Sequence, residues 1–216
     1  MGAPLSASDD VLQIASRRIY QQADAIRLVA DNLDDEFLAI ARAILAGTGK
    51  VFVGGSGTSG TIARRMAHVL SVSGTPSLFF SPVDATHGAS AAIESTDIVI
   101  LISNGGASTE VVQSAEIAKG LGATVVAITS VPESPLGEVA DYVGVVSVAP
   151  EAEIGGVIAT GSTLAQAAWG DALAEILMRS KGYTWDQFMH SHPSGAVGAR
   201  ESLPPDFEIL NLGSGS

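Results

Sequence analysis

The sequence predicts an α/β three-layer sandwich, a five-stranded parallel sheet between helices, preceded by N-terminal helices. Three observations lead there. Apolar runs at 50–53, 77–80, 97–102, 124–128 and 142–147 alternate with helical stretches at 59–73, 108–120 and 134–140. The runs are continuously apolar, as strands of a parallel sheet covered on both faces must be. Two of them lead directly into loops rich in glycine and hydroxyls, and each loop opens a helix.

The elements follow in order. Residues 8–31 carry Leu12, Ile14, Ala15, Ile19, Ala23, Ile26 and Val29 near the helical period, with Ser8-Asp9-Asp10 as a capped start. A second helix, about 34–46, runs through Phe37, Leu38, Ile40, Ala41, Ile44 and Leu45 and stops at Gly47. The five strand-like runs and the three helical stretches among them then follow. A loop at 148–158 leads to a long helix, 159–181, with Leu164, Ala168, Ala172, Leu173, Ile176 and Leu177 on its apolar face and Gly182 as its stop. A short helix at 184–189 precedes Ser191-His192-Pro193-Ser194-Gly195. Residues 1–212 are expected to form one domain, and 213–216 a flexible tail.

Composition narrows the function. Among 216 residues, 11 Lys and Arg face 23 Asp and Glu, a net charge of −12. Such a chain is a poor partner for nucleic acid or an anionic membrane surface. No apolar run approaches the about 20 residues of a membrane span, and the start lacks the pattern of a signal peptide. With no Cys, thiol and disulfide chemistry are absent, and a cytoplasmic location is expected.

The first loop is Gly54-Gly55-Ser56-Gly57-Thr58-Ser59-Gly60; the second is Ser103-Asn104-Gly105-Gly106-Ala107-Ser108-Thr109. Loops of this kind aim free amides and hydroxyls at one point on the positive end of a helix dipole, which makes an anion site. Cations are scarce, Arg64 and Arg65 being the one nearby pair. A phosphate is therefore expected to be held by amides, hydroxyls and helix ends. The bland alternatives are a tight structural turn in the first loop and simple helix capping by Ser108 or Thr109 in the second. Gly55–Gly60 also matches a dinucleotide fingerprint, but Phe79-Phe80 is followed by Ser81-Pro82 where an acidic residue is required. The lysine-bearing nucleotide loop is missing as well.

Four segments, in order, resemble the sugar isomerase (SIS) domain, a flavodoxin- or Rossmann-like fold, and within it the arabinose-5-phosphate isomerase group. They are Gly55–Gly60, Pro82-Val83-Asp84-Ala85-Thr86-His87-Gly88, Ile102–Glu110 and Ser191–Arg200, within a resemblance covering about residues 8–200. The resemblance implies a phosphosugar aldose–ketose isomerase that needs no cofactor and works as a homodimer or homotetramer. That group often carries a regulatory CBS pair after this domain; the present chain is expected to hold the first domain alone. Three positions depart from the group's pattern. Thr58 stands in place of a lysine, Gly105 of a serine and Ala107 of a glutamate.

The resemblance assigns His87 and His192 to ring opening and proton shuttling, and Glu151 to removal of the carbon-bound proton. Gly55, Ser56, Thr58, Ser59, Ser103, Asn104, Gly105 and Ser108 are assigned to substrate and phosphate. Thr160, Ser162 and Thr163 are read as helix caps before ligand contacts, and Glu153 as a second carboxylate within reach. His68 is read as structural or surface. Asp84, His87, His190 and His192 lack tight ligand spacing, so no metal is assigned. Two alternatives stand beside the isomerase: a non-catalytic sugar-phosphate sensor, and an isomerase for another sugar phosphate such as a 3-hexulose 6-phosphate.

Overall fold

The computed structural model describes residues 8–213. The side chains of Ser8 and Asp9, where the capped start is expected, and residues 214–216 of the tail lie outside the description. Two N-terminal helices, α1 (Ser8–Asp31) and α2 (Asp35–Ala46), precede the sheet. Strands β1 (Val51–Gly55), β2 (Ser77–Phe80), β3 (Ile98–Ile102), β4 (Thr124–Thr129) and β5 (Tyr142–Val145) pair in parallel in the order β2-β1-β3-β4-β5. They alternate with α3 (Gly57–Val72), the short α4 (Pro82–Ala85), α5 (Thr109–Gly120) and α6 (Pro135–Val139). The long α7 (Gly161–Ser180), then α8 (Trp185–Ser191) and α9 (Gly195–Gly198), complete the chain.

The period of two along each strand splits the core into two faces. Val51, Val53, Ile98, Ile100, Ile102, Val126 and Ile128 pack against α2, α3 and α7. Phe52, Val99, Leu101, Val125 and Ala127 pack against the opposite layer, from Ala85, Val111, Ala115, Ala118 and Leu136. Phe37 of α2 meets Trp169 of α7 edge to face at 5.2 Å between ring centroids. The three layers are those expected.

Two local expectations are corrected. In α1, Leu12, Ile14, Ile19 and Ile26 are exposed, and only Ala25 and Val29 are buried. Small residues let α1 lie on α7, and its larger side chains point outward. In α7, Leu164 is exposed; the buried stripe is Ala165, Trp169, Leu173 and Leu177, which faces the sheet. Gly47 ends α2 as expected, in an extended conformation. Gly182 does adopt the left-handed conformation, at φ +60°.

Candidate phosphate and acid–base site

The chain leaves β1 outward to β2, then crosses back to β3 beside β1. The two glycine-rich loops therefore leave neighbouring strands in opposite directions, one toward α3 and one toward α5 on the other face. Such a reversal opens a crevice at the carboxyl ends of the strands, where ligands of open α/β sheets bind. Backbone sterics keep it narrow. A Cβ on Gly55 would stand 3.0 Å from the Ile102 carbonyl oxygen and from the carbonyl of Ser59, and one on Gly60 2.7 Å from the Gly55 oxygen. Gly106 sits at φ +63° with Ser134 packed on it. Its loop is pinned by Asn104, whose carbonyl oxygen accepts from the Thr129 hydroxyl at 3.0 Å, the Ser130 hydroxyl at 2.7 Å and the Ser130 amide at 2.9 Å.

The hydroxyls settle the capping alternative. Asp34, Ser81, Ser134 and Thr184 each stand before a helix and accept a backbone N–H in the usual way. Ser56 and Ser108 occupy the same position before α3 and α5, yet neither side chain makes a cap bond. Ser56 Oγ is buried with no hydrogen-bond partner, and Ser103 Oγ reaches only Ser108 Oγ, at a long 3.5 Å. The first-turn amides of a helix have no intrahelical acceptor. The crevice thus gathers uncommitted donors from both helices. Thr58, Asn104 and Gly105 are exposed at its mouth, and Ser59 is half-buried. The adjacent cations are engaged elsewhere: Arg64 lies 4.0 Å over the Phe79 ring, and Arg65 forks onto both oxygens of Asp171.

One carboxylate here escaped the sequence reading. Glu110 begins the first turn of α5. Its own backbone amide holds its carboxyl below the ordinary range against a smaller opposing effect of burial, and it lies near Ser56 of the first loop. Its sequence signal is that Glu110 closes the second-loop motif.

Glu151 lies beyond β5 in a single 3₁₀ turn, Pro150–Ala152, clamped by α1: Arg18 Nη1 donates to the carbonyl oxygens of Glu151 at 2.9 Å and Ala152 at 2.8 Å. Glu151 lines a cleft of about 310 Å³ with Gln21, Asp24, Ala25, Leu28, Ala149 and Ala152. Glu153 is not free to reach a ligand. Its carboxylate accepts from the amides of Thr160, Gly161 at 2.9 Å and Ser162 at 3.1 Å, so Glu153, not a hydroxyl, caps α7. Burial alone would raise its pKa; these amides outweigh that and hold it low. Thr160 instead donates its hydroxyl to the Ala152 oxygen at 3.1 Å, and Thr163 to the Thr160 oxygen at 2.8 Å.

The histidines are dispersed. His87 is exposed in the turn after α4, at the edge where the strands end. His192 ends α8, stacked on Phe188 with ring centroids 4.0 Å apart; its Nδ1 lies 2.9 Å from the Phe188 oxygen and 3.0 Å from Ser191 Oγ. α8 starts where α7 ends, beside Gly74, at the edge of the sheet opposite the loops. The side-chain contacts of His192 are with α8 itself and not with the crevice loops. His68 and His190 are exposed. Among the described residues, no three His, Asp or Glu side chains gather as a metal cluster, and Asp84, His87, His190 and His192 do not converge.

A parallel sheet with hydroxyl-lined loops at its reversal point is the architecture of an open α/β domain with a candidate anion site. The SIS domain model matches residues 44–176, and the chain belongs to the SIS domain family. It is 36% identical to the arabinose 5-phosphate isomerase KdsD of Pseudomonas aeruginosa over 211 residues, covering 98% of this chain and 64% of that one. It is 42% identical to the KdsD of an Escherichia coli strain over 165 residues, 76% of this chain and 50% of that one. The chain therefore spans about half to two-thirds of these relatives' length. It also superposes on the c3406 protein of Escherichia coli CFT073, solved in complex with arabinose 5-phosphate. There the TM-score is 0.84 at 29% identity, covering 87% of this chain and all of that one. No helix among the described residues is long and apolar enough to cross a membrane.

Proposed function

We propose that the protein is a phosphosugar aldose–ketose isomerase of the arabinose 5-phosphate isomerase type. The observation that carries the reading is the set of uncommitted hydroxyls before α3 and α5 at the sheet's reversal point. Ser56, Ser59, Ser103 and Ser108, with the loop amides, hold the phosphate, and Asn104, Gly105 and Thr58 shape the mouth. The relatives named for this reaction support it.

The chemistry is internally balanced. A base removes the proton from C2 of the open-chain aldose, and the electrons move onto the carbonyl oxygen, which is protonated to give an enediol. Loss of the proton from O2 and protonation at C1 yield the ketose. No electron leaves the substrate, so a redox cofactor has no part in it. Glu151 is the proposed carbon base, and Glu110 a second carboxylate beside Ser56. His87 opens the sugar ring. His192, whose side chain contacts α8 and not the loops of its own chain, acts from a second copy of the chain in a homodimer or homotetramer.

A panel of pentose and hexose phosphates tests this. Interconversion of at least one aldose–ketose pair is expected; binding without any interconversion would overturn it. That outcome is what the second reading, a sugar-phosphate sensor, predicts. Its motivation is Thr58 and Ala107, both exposed where the family carries charge. Under it, Glu151→Gln and His192→Ala leave affinity intact with no turnover to lose.

A further inference from the structure

Ser162 and Gln166 are each only 1% exposed, and both Ser162 Oγ and Gln166 Oε1 lack any hydrogen-bond partner. They stand one turn apart on a ridge of α7 that continues to Gly170. Gly170 packs on Met66 of α3, where a Cβ would come within 2.6 Å of Met66 Cε. Arg65 and Asp171 pair beside that contact. α3 and α7 run parallel, both descending from the edge that bears the loops. This register puts Ser162 level with Thr58, and Gln166 level with Ile62. Helical side chains lean toward the N-terminus. Gln166 therefore leans up toward Ser162 and the first loop.

The character of the missing partner follows from Glu153. Its carboxylate already occupies the α7 amides, immediately beside Ser162. A second anion there would be repelled. A neutral hydroxyl would not, and it could donate to the Gln166 oxygen. Buried polar groups of native proteins normally have partners, and two unmet ones on one ridge beside a ligand loop mark a place where a partner arrives.

We infer that Ser162 and Gln166 form the sugar-reading wall of the site. Gln166 accepts a hydrogen bond from a hydroxyl of the bound sugar and so sets which sugar phosphate is preferred. The inference rests on the sugar-phosphate reading of the loops. It does not require turnover. The phosphate end belongs to the crevice where the loops before α3 and α5 meet, and the hydroxyl end to the loop-side end of the α3–α7 seam.

The test is calorimetric titration of the full chain with inorganic phosphate and with a panel of pentose and hexose phosphates, for wild type, Gln166→Leu and Gln166→Met. Both variants keep the volume and remove the polar atoms; melting curves check the fold. Affinity for the preferred sugar phosphate is expected to fall at least ~10-fold, with the order of preference among sugars changed. Affinity for inorganic phosphate stays put. Unchanged sugar preference in either folded variant overturns the inference, as does a wild type that binds every sugar phosphate no better than inorganic phosphate. A wild type that discriminates among sugars but never isomerises them sinks the isomerase reading and leaves this one standing.

Discussion

Arg18 and Glu151, far apart in sequence, are joined by a hydrogen bond of 2.9 Å from the guanidinium to the carbonyl oxygen, and the same nitrogen also reaches Ala152. The first helix thereby holds the turn that carries the proposed carbon base. A single turn of 3₁₀ helix has little rigidity of its own. Arg18→Met is expected to lower kcat by about 10-fold, since small misplacements of a reacting group are costly, and to leave KM nearly unchanged. Arg18→Lys, which keeps a donor, recovers part of the loss. Steady-state kinetics on the three proteins check this; an equal effect on KM would place Arg18 in binding instead.

Ser56 and Ser134 stand before helices in the same way but do different work. Ser134 accepts the Gly137 amide at 3.4 Å, whereas Ser56 accepts nothing. Ser134→Ala should cost about 1 kcal/mol of stability and leave phosphate affinity alone. Ser56→Ala should be neutral or slightly stabilising while weakening phosphate binding by about 1 kcal/mol. Urea unfolding and phosphate titration of both variants check the contrast.

Glu153 makes stability depend on pH in a defined direction. Its carboxyl lies lower in the folded protein than in the unfolded chain, because the α7 amides stabilise the ionised form. The unfolded state therefore takes up protons first as pH falls. The stabilisation is full above the unfolded value and is lost as pH drops through the folded one. Glu153→Gln is expected to be about 1 kcal/mol less stable at neutral pH. The gap should narrow below the ordinary carboxylate range. Paired urea midpoints across pH read it directly, and a gap that widened on acidification would reverse the sign.

Thr58 is exposed on the first turn of α3, which carries no acidic residue. Thr58→Lys places a cation beside the proposed phosphate. Affinity for inorganic phosphate should rise severalfold at low salt and the gain should fade as salt screens it. The cost is a few tenths of a kcal/mol from the unfavourable helix dipole. Gly105 has open space where a Cβ would stand. Gly105→Ser is therefore expected to fold as stably as wild type, within ±0.5 kcal/mol.

Strands and long helices were legible because their patterns are local. The apolar runs at 50–53 and 124–128 became β1 and β4 to within a residue or two, and the glycine at 182 ended α7 as expected. Short helices at 134–140 and 184–189 were legible too, as α6 and α8, but three of the shortest pieces were not. α4 and the 3₁₀ turns at Ala89–Ala92 and Pro150–Ala152 have no room for a periodic pattern. The exposed apolar side of α1 misled for the opposite reason: its period is helical whether or not anything covers it. Within the site, residues next to glycine were readable from the loops themselves. Arg18, Glu153, Ser162 and Gln166 were not, because their roles depend on partners that only the packing of α1, α3 and α7 supplies. Whether a serine caps or stays free is likewise a matter of geometry, invisible at Ser56 and Ser134 alike.

The most direct measurement follows arabinose 5-phosphate with the protein in deuterated water by NMR. Growth of the corresponding ketose, with solvent deuterium entering at the carbon that receives the proton, is the predicted result. Saturable binding of the sugar phosphate with neither ketose nor deuterium incorporation, across this substrate and the rest of the panel, would contradict it.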